Sequence, residues 1–590
     1  MPHDISHHSG NRFVRLSQLS QYCQTLAQHI SNQLCQELRS PLSSHSLCAT
    51  SQLAKGLFII GIMTVPMTAI DGIALATTVH SPLPPAIGLA LAPTQEPNLK
   101  PFDGLHPAAQ IAQASPPSDF GATPIRLVER ANSLREQGKL DEAINLYRQA
   151  LALRPDFVAA HYGLGVSLRQ KGDLVAAAAS HRRAIEIDKT FTPAYYGLGI
   201  ALFKQGDLGG AVDAYTTFIR QSDPKAVNLS PAYYNLGLAE EQRNNLPAAL
   251  TAFQQAVTID PNYALAQNGV ASVLRRQGDL PGSINAYRQA IRLAPNYATS
   301  HFALGVSLYE TKDYAGAISA YQQVIKLEPA FPSVYYNLGL AQTAQGNLSA
   351  AIESYRQAAR QDGDNADLYA ALGSALLKQN QLAEAVTAFE RSTQINPRSA
   401  VSFNGLGLSL RRQGNLPAAI RAYEQALAID GRYAPAYNNL GRALADQERI
   451  PEAITAFRQA VQFDPRNSIA YSNLGNLLRT RGDMSGAADA FQKSIAIGRE
   501  DIWTDYSSLG FVLVEQGRYD EAEAAYLKAI SLNPRFARAY FGMGSLYTLR
   551  GEINNAIRSY QDALKYYEAD KDLEWIQRTQ QAIQALQSIT

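Results

Sequence analysis

Three histidines between residues 124 and 570 carry the side chains best suited to bind a metal ion or transfer a proton. They are His161, His181 and His301. His161 and His181 fall within one repeated segment, so one hypothesis is a metal-binding or catalytic pair. The alternative is that all three histidines replace aromatic core residues, because other segments carry tyrosine or phenylalanine at the corresponding places.

Sequence motifs for other chemistry are missing. The chain has no glycine-rich phosphate loop with its lysine, no HExxH motif and no GxSxG motif. The formal net charge is +1, whereas nucleic-acid-binding domains are usually strongly basic. We therefore predict a protein that is not an enzyme, with no catalytic residue, no metal, no cofactor and no nucleic-acid partner.

The histidines belong to a segment that recurs with a period near 34 residues. From residue 400 the pattern reads Phe403, Leu406, Gly407, Leu410, Gly414, Leu416, Ala419, Tyr423, Ala426 and Leu427. Apolar residues three and four apart indicate two amphipathic helices per segment. Gly407 allows the helices to approach closely, and Gly414 suits the left-handed residue that ends the first helix.

This period and this apolar set resemble the tetratricopeptide repeat family. The resemblance covers roughly three quarters of the chain, from Pro124 to about Asp570, in about thirteen units. It implies an all-α fold, a right-handed superhelical α-solenoid of about 13 helix pairs over residues 124–570. Each pair is stabilised by its neighbours, because it cannot bury its apolar stripe alone. Residues 571–590 would form a capping helix with one apolar face, made by Leu573, Ile576, Ile583, Leu586 and Ile589.

Repeat units begin near residues 124, 158, 192, 230, 264, 298, 332, 366, 400, 434, 468, 503 and 537. The spacing breaks at two places. About four extra residues lie around 225–229 and one extra residue lies around 498–502. Because insertions in repeat proteins map to loops, we expect small changes of twist at both places, with hinges as an open alternative.

The segment before the repeats indicates targeting to or across a membrane. Residues 1–52 are polar, with a candidate amphipathic helix at 13–39; residues 53–79 are apolar, and residues 80–123 form a proline-rich linker. The apolar segment fits a secretory signal or an uncleaved membrane anchor, and both place the repeats outside the cytoplasm. The alternatives are an organellar transit peptide and a core helix of a cytoplasmic protein.

The family resemblance implies that the first helix of each unit lines a concave groove that binds extended peptides or helices. The groove would be formed by the fifth, sixth, ninth and twelfth residues of each unit. Aromatic residues recur at the fifth position: Tyr162, Tyr196, Tyr234, Phe302, Tyr336 and Phe541. Arginine recurs at the twelfth: Arg135, Arg169, Arg275, Arg411 and Arg479. Contact with a peptide would use these side chains, and the alternatives are packing within the repeats for the aromatics and a solvated face for the arginines.

The units from 400 to 501 have the most polar predicted groove. Its polar residues are Asn404, Asn438, Asn439, Arg442, Asn473 and Asn476. An asparagine amide can both donate a hydrogen bond to a peptide backbone and accept one from it. We therefore predict that this stretch binds the main chain or a carboxylate of a peptide. The lysine and arginine pattern with which related repeats bind chaperone tails is matched only by Arg442.

We therefore predict a non-catalytic scaffold that binds partner proteins or peptides, exported or tethered to a membrane through residues 53–79. The alternative is a targeting or regulatory subunit of an envelope glycosyltransferase, or a factor that assists assembly of a protein complex. The sequence does not name the partner.

Overall fold

The computed structural model describes residues 123–588, which form 27 α-helices and no β-strand. The predictions for residues 1–52, 53–79 and 80–122 lie outside the described residues, as do residues 589–590. The predicted all-α fold of about 13 helix pairs followed by a C-terminal helix is confirmed.

The first eight helix pairs follow one another in chain order. They are α1 (Pro124–Glu136) and α2 (Leu140–Leu153), α3 (Val158–Lys171) and α4 (Leu174–Ile187), α5 (Thr192–Gln205) and α6 (Leu208–Gln221), α7 (Ser230–Gln242) and α8 (Leu246–Ile259), α9 (Ala264–Arg276) and α10 (Leu280–Leu293), α11 (Ala298–Glu310) and α12 (Tyr314–Leu327), α13 (Val334–Ala344) and α14 (Leu348–Gln361), and α15 (Ala366–Lys378) and α16 (Leu382–Ile395).

The remaining helices repeat the same arrangement. They are α17 (Ala400–Arg412), α18 (Leu416–Ile429), α19 (Ala434–Asp446), α20 (Ile450–Phe463), α21 (Ser468–Thr480), α22 (Met484–Ile497), α23 (Trp503–Glu515), α24 (Tyr519–Leu532), α25 (Ala537–Arg550), α26 (Ile553–Asp570) and α27 (Leu573–Gln587). Twelve of the thirteen first helices begin at the residue where the sequence pattern begins a unit. The exception is α13, which begins at 334 because Ser333 adopts a φ of +60°, outside the right-handed helical region.

The described chain divides into two compact units, residues 123–413 and residues 414–588, whereas the sequence predicts one array. In the first unit, α1 packs on α2, α2 on α3, and so on in chain order, and first helices of successive pairs also touch, as α1 touches α3 and α3 touches α5. The second unit is built in the same way from α18 to α27.

The core of each pair centres on the twenty-fourth residue of the unit, which is aromatic in almost every repeat. The ring of Phe253 shows the environment: it lies against Gly237 of its own first helix and Gly269 of the next one. A Cβ atom at either glycine would lie within 2.7 Å of that ring. These glycines therefore let one buried ring fill the space between two first helices.

The one-residue insertion around 498–502 is held by a buried network. Asp505 is 1% exposed and accepts hydrogen bonds from the hydroxyl groups of Ser472 and Ser494, both at 2.6 Å. Arg499 contacts the Asp505 carboxylate at 3.1 Å and Asp501 at 3.1 Å. Burial raises the pKa of Asp505, and Arg499 opposes that rise. The insertion is thereby tied to α21, α22 and α23; a role as a hinge stays a prediction.

The insertion around 225–229 instead forms a cleft of about 370 Å³. Its lining is Pro224, Lys225, Ala226, Val227, Asn228, Leu229 and Ile259, which places the end of α8 against the loop. Leu229 is buried and packs with Phe218, so the loop is anchored on α6.

The last helix packs on the final pair, as predicted, although its apolar face differs from the predicted one. Trp575, Ile583 and Leu586 are buried with Phe541 and Tyr567. Leu573 was assigned to the buried face, but its exposure of 78% shows this assignment to be wrong. Its place is taken by Trp575, whose ring stacks on Tyr567 with 5.5 Å between centroids. The larger ring removes more apolar surface from water at the end of the stack.

No helix within residues 123–588 is long and apolar enough to cross a membrane.

Candidate protein-binding site

The aromatic residues at the fifth position form a ladder with the rings at the twenty-fourth position. In each pair that follows, the fifth-position ring lies close to the buried ring of its own unit. The centroid distances are 5.6 Å for Tyr162 and His181, 5.9 Å for Tyr196 and Tyr215, 5.7 Å for Tyr234 and Phe253, 5.6 Å for Phe302 and Tyr321, 6.1 Å for Tyr336 and Tyr355, and 5.0 Å for Phe541 and Tyr560. Packing within the repeats therefore uses much of their surface.

Exposure separates these rings into two groups. Tyr234 and Tyr336 are 8% and 6% exposed, so little of either side chain is accessible. Tyr162 and Tyr196 are half-buried. The Tyr196 hydroxyl accepts a hydrogen bond from the Asn235 amide at 3.0 Å. Burial raises the pKa of both phenols, so both stay neutral at physiological pH. Peptide contact by these tyrosines stays a prediction, and Tyr162 and Tyr196 have the surface for it.

The predicted polar stretch falls in both units, because Asn404 belongs to the first and the other five residues belong to the second. In the second unit the Asn473 amide donates to the Asn438 carbonyl at 3.3 Å, which joins α21 to α19. Asn438, Asn473 and Arg442 are 7%, 3% and 4% exposed, so these polar groups lie within the packed face. Their contact with a peptide stays a prediction.

Asn476 differs from its buried neighbours. It lies one helical turn after Asn473 on α21 and is half-exposed. Its side-chain amide has no hydrogen-bond partner among residues 123–588. Asn439 is also half-buried, but it has an interaction within the described chain. Asn476 therefore presents a side-chain donor and acceptor that are accessible to a peptide backbone.

The arginine at the twelfth position of α9 is paired within the protein. The Arg275 guanidinium contacts the Glu310 carboxylate of α11 at 2.9 Å, with the two side chains 13% and 22% exposed. Acidic residues continue along this stretch. Arg276 lies 3.6 Å from the Glu241 carboxylate of α7 and donates to Asn244 at 2.7 Å. The positive charge of this part of the first unit is neutralised by its own carboxylates.

Arg135 of α1 and Arg169 of α3 occupy the same twelfth position and are half-buried. Within residues 123–588, neither guanidinium has a carboxylate within ion-pair distance or a hydrogen-bond partner. Both lie close enough to Tyr162 to lower the pKa of its phenol against the larger rise caused by burial. The twelfth position thus carries both paired and unpaired arginines.

Two further arginines at this position interact within the protein. The Arg479 guanidinium lies over the Phe511 ring at 5.1 Å from the centroid, and burial lowers the pKa of Arg479. Arg411, at the end of α17, also has an interaction within the described chain. These two arginine side chains are therefore not freely solvated.

The structure places the three histidines where other repeats have aromatic residues. His161 and His301 each bond through Nε2 to a proline carbonyl, at 2.9 Å to Pro155 and 2.8 Å to Pro295. At the same position of the next unit, the Tyr195 hydroxyl donates to the Lys189 carbonyl at 3.3 Å. These bonds join the start of a first helix to the preceding loop. Within residues 123–588, no three potential metal ligands among histidine, cysteine and acidic residues cluster together.

His181 occupies the buried twenty-fourth position. Its ring is wedged between Gly165 and Gly197, where an added Cβ atom would approach it to 2.7 Å and 2.6 Å. Neither ring nitrogen has a hydrogen-bond partner. Burial, assisted by the positive charge of Arg169, lowers the pKa of His181 to about 3. The imidazole is therefore neutral at physiological pH.

The sequence analysis grouped the twelfth-position arginines by their position alone and did not identify the carboxylate that pairs with Arg275. The signal was present at the thirteenth position of the following unit. That residue is Glu310 for Arg275, but Gln170 for Arg135 and Lys204 for Arg169.

Comparison with protein-family sequence models gives matches over most of the chain. Models described as "Tetratricopeptide repeat" match residues 128–190, 196–264, 336–400, 370–435, 404–468, 438–502 and 537–570. A model described as "TPR repeat" matches residues 271–312, 307–346 and 510–548. Comparison with curated protein sequences gives no match.

Comparison with solved structures gives matches that include the following three. The APC/C hetero-tetramer Cut9-Hcn1 is 15% identical, with 80% of this chain and 98% of that chain covered and a TM-score of 0.34. Yeast Tom70 is 17% identical, with 67% and 96% covered and a TM-score of 0.32. MamA is 28% identical, with 28% and 96% covered and a TM-score of 0.27.

Proposed function

The chain belongs to the tetratricopeptide repeat family, and from that membership we propose that it is a non-catalytic scaffold that holds a segment of a partner protein against its first helices. Proteins of this family are generally non-catalytic interaction scaffolds, which supports protein partners as the class of ligand. The partner segment would bind along successive first helices, because each of them presents residues at the same repeat positions.

The observation that carries this proposal is the half-exposed amide of Asn476. It stands on α21 beside the buried Asn438–Asn473 hydrogen bond, which fixes the two first helices relative to each other. A backbone amide and carbonyl of an extended partner segment could satisfy both ends of this side chain. The surrounding polar groups are already held in place, so little side-chain freedom would be lost on binding.

Site-specific crosslinking tests this proposal. A photo-crosslinking residue is placed at Asn476 of the full-length protein in its native cells. A matched control is placed at Asp489, which is exposed on the second helix α22 of the same unit. We expect one discrete partner to be captured from position 476 and not from position 489. Capture from 489 alone, or the same set of proteins from both positions, would show that the first helices do not form the binding face.

We also propose that the scaffold works outside the cytoplasm, exported or tethered through residues 53–79. The support is the uncharged stretch from Gly56 to Ile70, which follows Lys55. Fractionation of native cells with N-terminal sequencing of the protein tests the location. A mature N-terminus after residue 70, or a membrane-bound full-length chain, is expected. A full-length protein in the soluble cytoplasmic fraction would contradict it.

A further inference from the structure

The first helices of the first two repeats each carry an arginine that no carboxylate within residues 123–588 neutralises. Arg135 and Arg169 stand at the same position of neighbouring first helices, and α1 and α3 are in direct contact. Both side chains are half-buried, which restricts their motion and reduces their hydration. A guanidinium in this setting favours a carboxylate partner, because it offers paired donors in a fixed plane.

The residues that correspond to Glu310 beside these two arginines supply no negative charge, which favours binding of an anion. The residues that would supply an acid, by analogy with Glu310, are Gln170 and Lys204. Tyr162 lies near both guanidinium groups, is half-buried and has no hydrogen-bond partner for its hydroxyl among residues 123–588. Its ring is held by Phe191 at 5.5 Å and by His181 at 5.6 Å. The cluster therefore combines two cationic groups with a fixed phenol that can donate to an acceptor.

The spacing of the first helices suggests the form of the ligand. Packed helices have axes about 8–10 Å apart. In a polyproline II segment, every third side chain points the same way, at about 3.1 Å per residue, so two such side chains are separated by about 9 Å. Two acidic residues three apart in an extended segment would thus meet Arg135 and Arg169 together.

We propose that Arg135 and Arg169, with the Tyr162 hydroxyl, form a site for an extended acidic segment of a partner protein with carboxylates at residues i and i+3. This proposal specifies the chemistry of one partner segment, and it rests on the proposed scaffold function. It lies in the unit formed by residues 123–413, whereas Asn476 lies in the other unit. The two proposals can therefore fail separately.

Binding of synthetic peptides to the full-length protein tests the site. The probe is a fluorescent proline-rich peptide of about ten residues with glutamates at i and i+3, measured by anisotropy. We expect the peptide with glutamines in their place to bind about 100-fold more weakly, about tenfold for each lost charge-assisted contact. A peptide with its two glutamates adjacent should also bind more weakly.

Matched variants of the protein locate the binding. Arg135→Gln with Arg169→Gln should weaken binding about 100-fold. The control is Arg148→Gln with Arg182→Gln, which removes the same charge from exposed positions of the second helices in the same two units. The control should leave the affinity within about twofold, since exposed charges act weakly.

Three results would overturn the assignment. Equal losses in the two double variants would show attraction by net charge without a site. Equal binding of glutamate and glutamine peptides would exclude carboxylate recognition. Tighter binding of a single-stranded oligonucleotide with the same number of charges would identify the ligand as a nucleic acid. Circular dichroism of each variant, with the wild-type helical signal required, separates loss of the site from loss of the fold.

Discussion

The twelfth-position arginines of α3 and α9 occupy equivalent places in two repeats and differ in their electrostatic surroundings. Arg275 is paired with Glu310 at 2.9 Å, whereas Arg169 has no such partner among residues 123–588. The difference arises at one residue of the following unit, which is glutamate in one case and Lys204 in the other. A repeat can therefore use the same residue to stabilise itself or to leave charge available for a ligand.

The core residues next to these two arginines differ as well. Tyr287 lies below Arg275, and His181 occupies the corresponding core position below Arg169. Both side chains are completely buried, at 0% exposure. A phenol is neutral in acid and near neutral pH, while an imidazole gains a proton in acid once it reaches water. The two regions should therefore respond differently to pH.

The largest expected effect follows from this difference. The pKa of His181 is lowered from its ordinary value of 6.5 to about 3 in the folded protein. Between pH 6.5 and 3 the unfolded segment binds a proton that the folded segment does not. The contribution of His181 to stability is therefore lost as pH falls, by about 1.4 kcal/mol per pH unit. Replacing His181→Phe should remove this loss, because Phe253 fits the same place between two glycines.

Hydrogen exchange of α3–α5, compared between pH 7 and pH 5, measures the effect. The wild-type protein should lose protection in α3–α5 relative to α9–α11, and the variant should lose much less. A matched control is His301→Tyr, since a tyrosine can make the same carbonyl contact as Tyr195. An identical loss in the wild type and in His181→Phe would show that other groups cause the acid sensitivity.

The second prediction concerns a variant in which the first repeats acquire carboxylates at the positions equivalent to Glu310. Gln170→Glu with Lys204→Glu should place carboxylates near Arg135 and Arg169, as Glu310 lies near Arg275. Affinity for the glutamate peptide should fall about 100-fold, because the new acids occupy the guanidinium groups and repel the ligand. Peptide anisotropy measures this change. Unchanged affinity would mean that the peptide does not bind at these arginines.

The third effect compares the removal of a paired group with the removal of an unpaired one. Glu310→Gln should destabilise α9–α11 by about 1 kcal/mol, because the partly buried Arg275 loses its counter-charge. Arg169→Gln should change the stability of α3–α5 by less than about 0.5 kcal/mol, since no ion pair or hydrogen bond within residues 123–588 is broken. Local hydrogen exchange gives both values. An equal loss at the two sites would show that Arg169 has a structural partner.

Much of the fold could be predicted because each repeat carries the same local sequence pattern, and that pattern determines where its helices begin and end. Glycine at helix ends, alternating apolar faces and the period of 34 residues together place nearly every first helix. The end of the stack was harder to predict. Leu573 and Trp575 both offer apolar surface, and only the packing against Tyr567 decides which one is buried.

The candidate site could be predicted only in part, because a fixed position does not determine what a side chain contacts. The fifth-position tyrosines occupy the same place in their units, yet Tyr234 is buried while Tyr162 keeps accessible surface. Charge pairing depends on the next repeat, so the sequence of one unit could not separate Arg275 from Arg169. His181 was recognised as a replacement for an aromatic residue, but its lack of hydrogen-bond partners required the packed structure.

A double-mutant cycle between the arginines and the peptide carboxylates tests the central claim most directly. Each of Arg135→Gln and Arg169→Gln is combined with replacement of each peptide glutamate by glutamine, and anisotropy gives the four affinities of every cycle. We predict a coupling energy of about 1 kcal/mol or more for one glutamate with Arg135 and for the other with Arg169. Additive losses in all cycles, with no coupling, would contradict a direct contact.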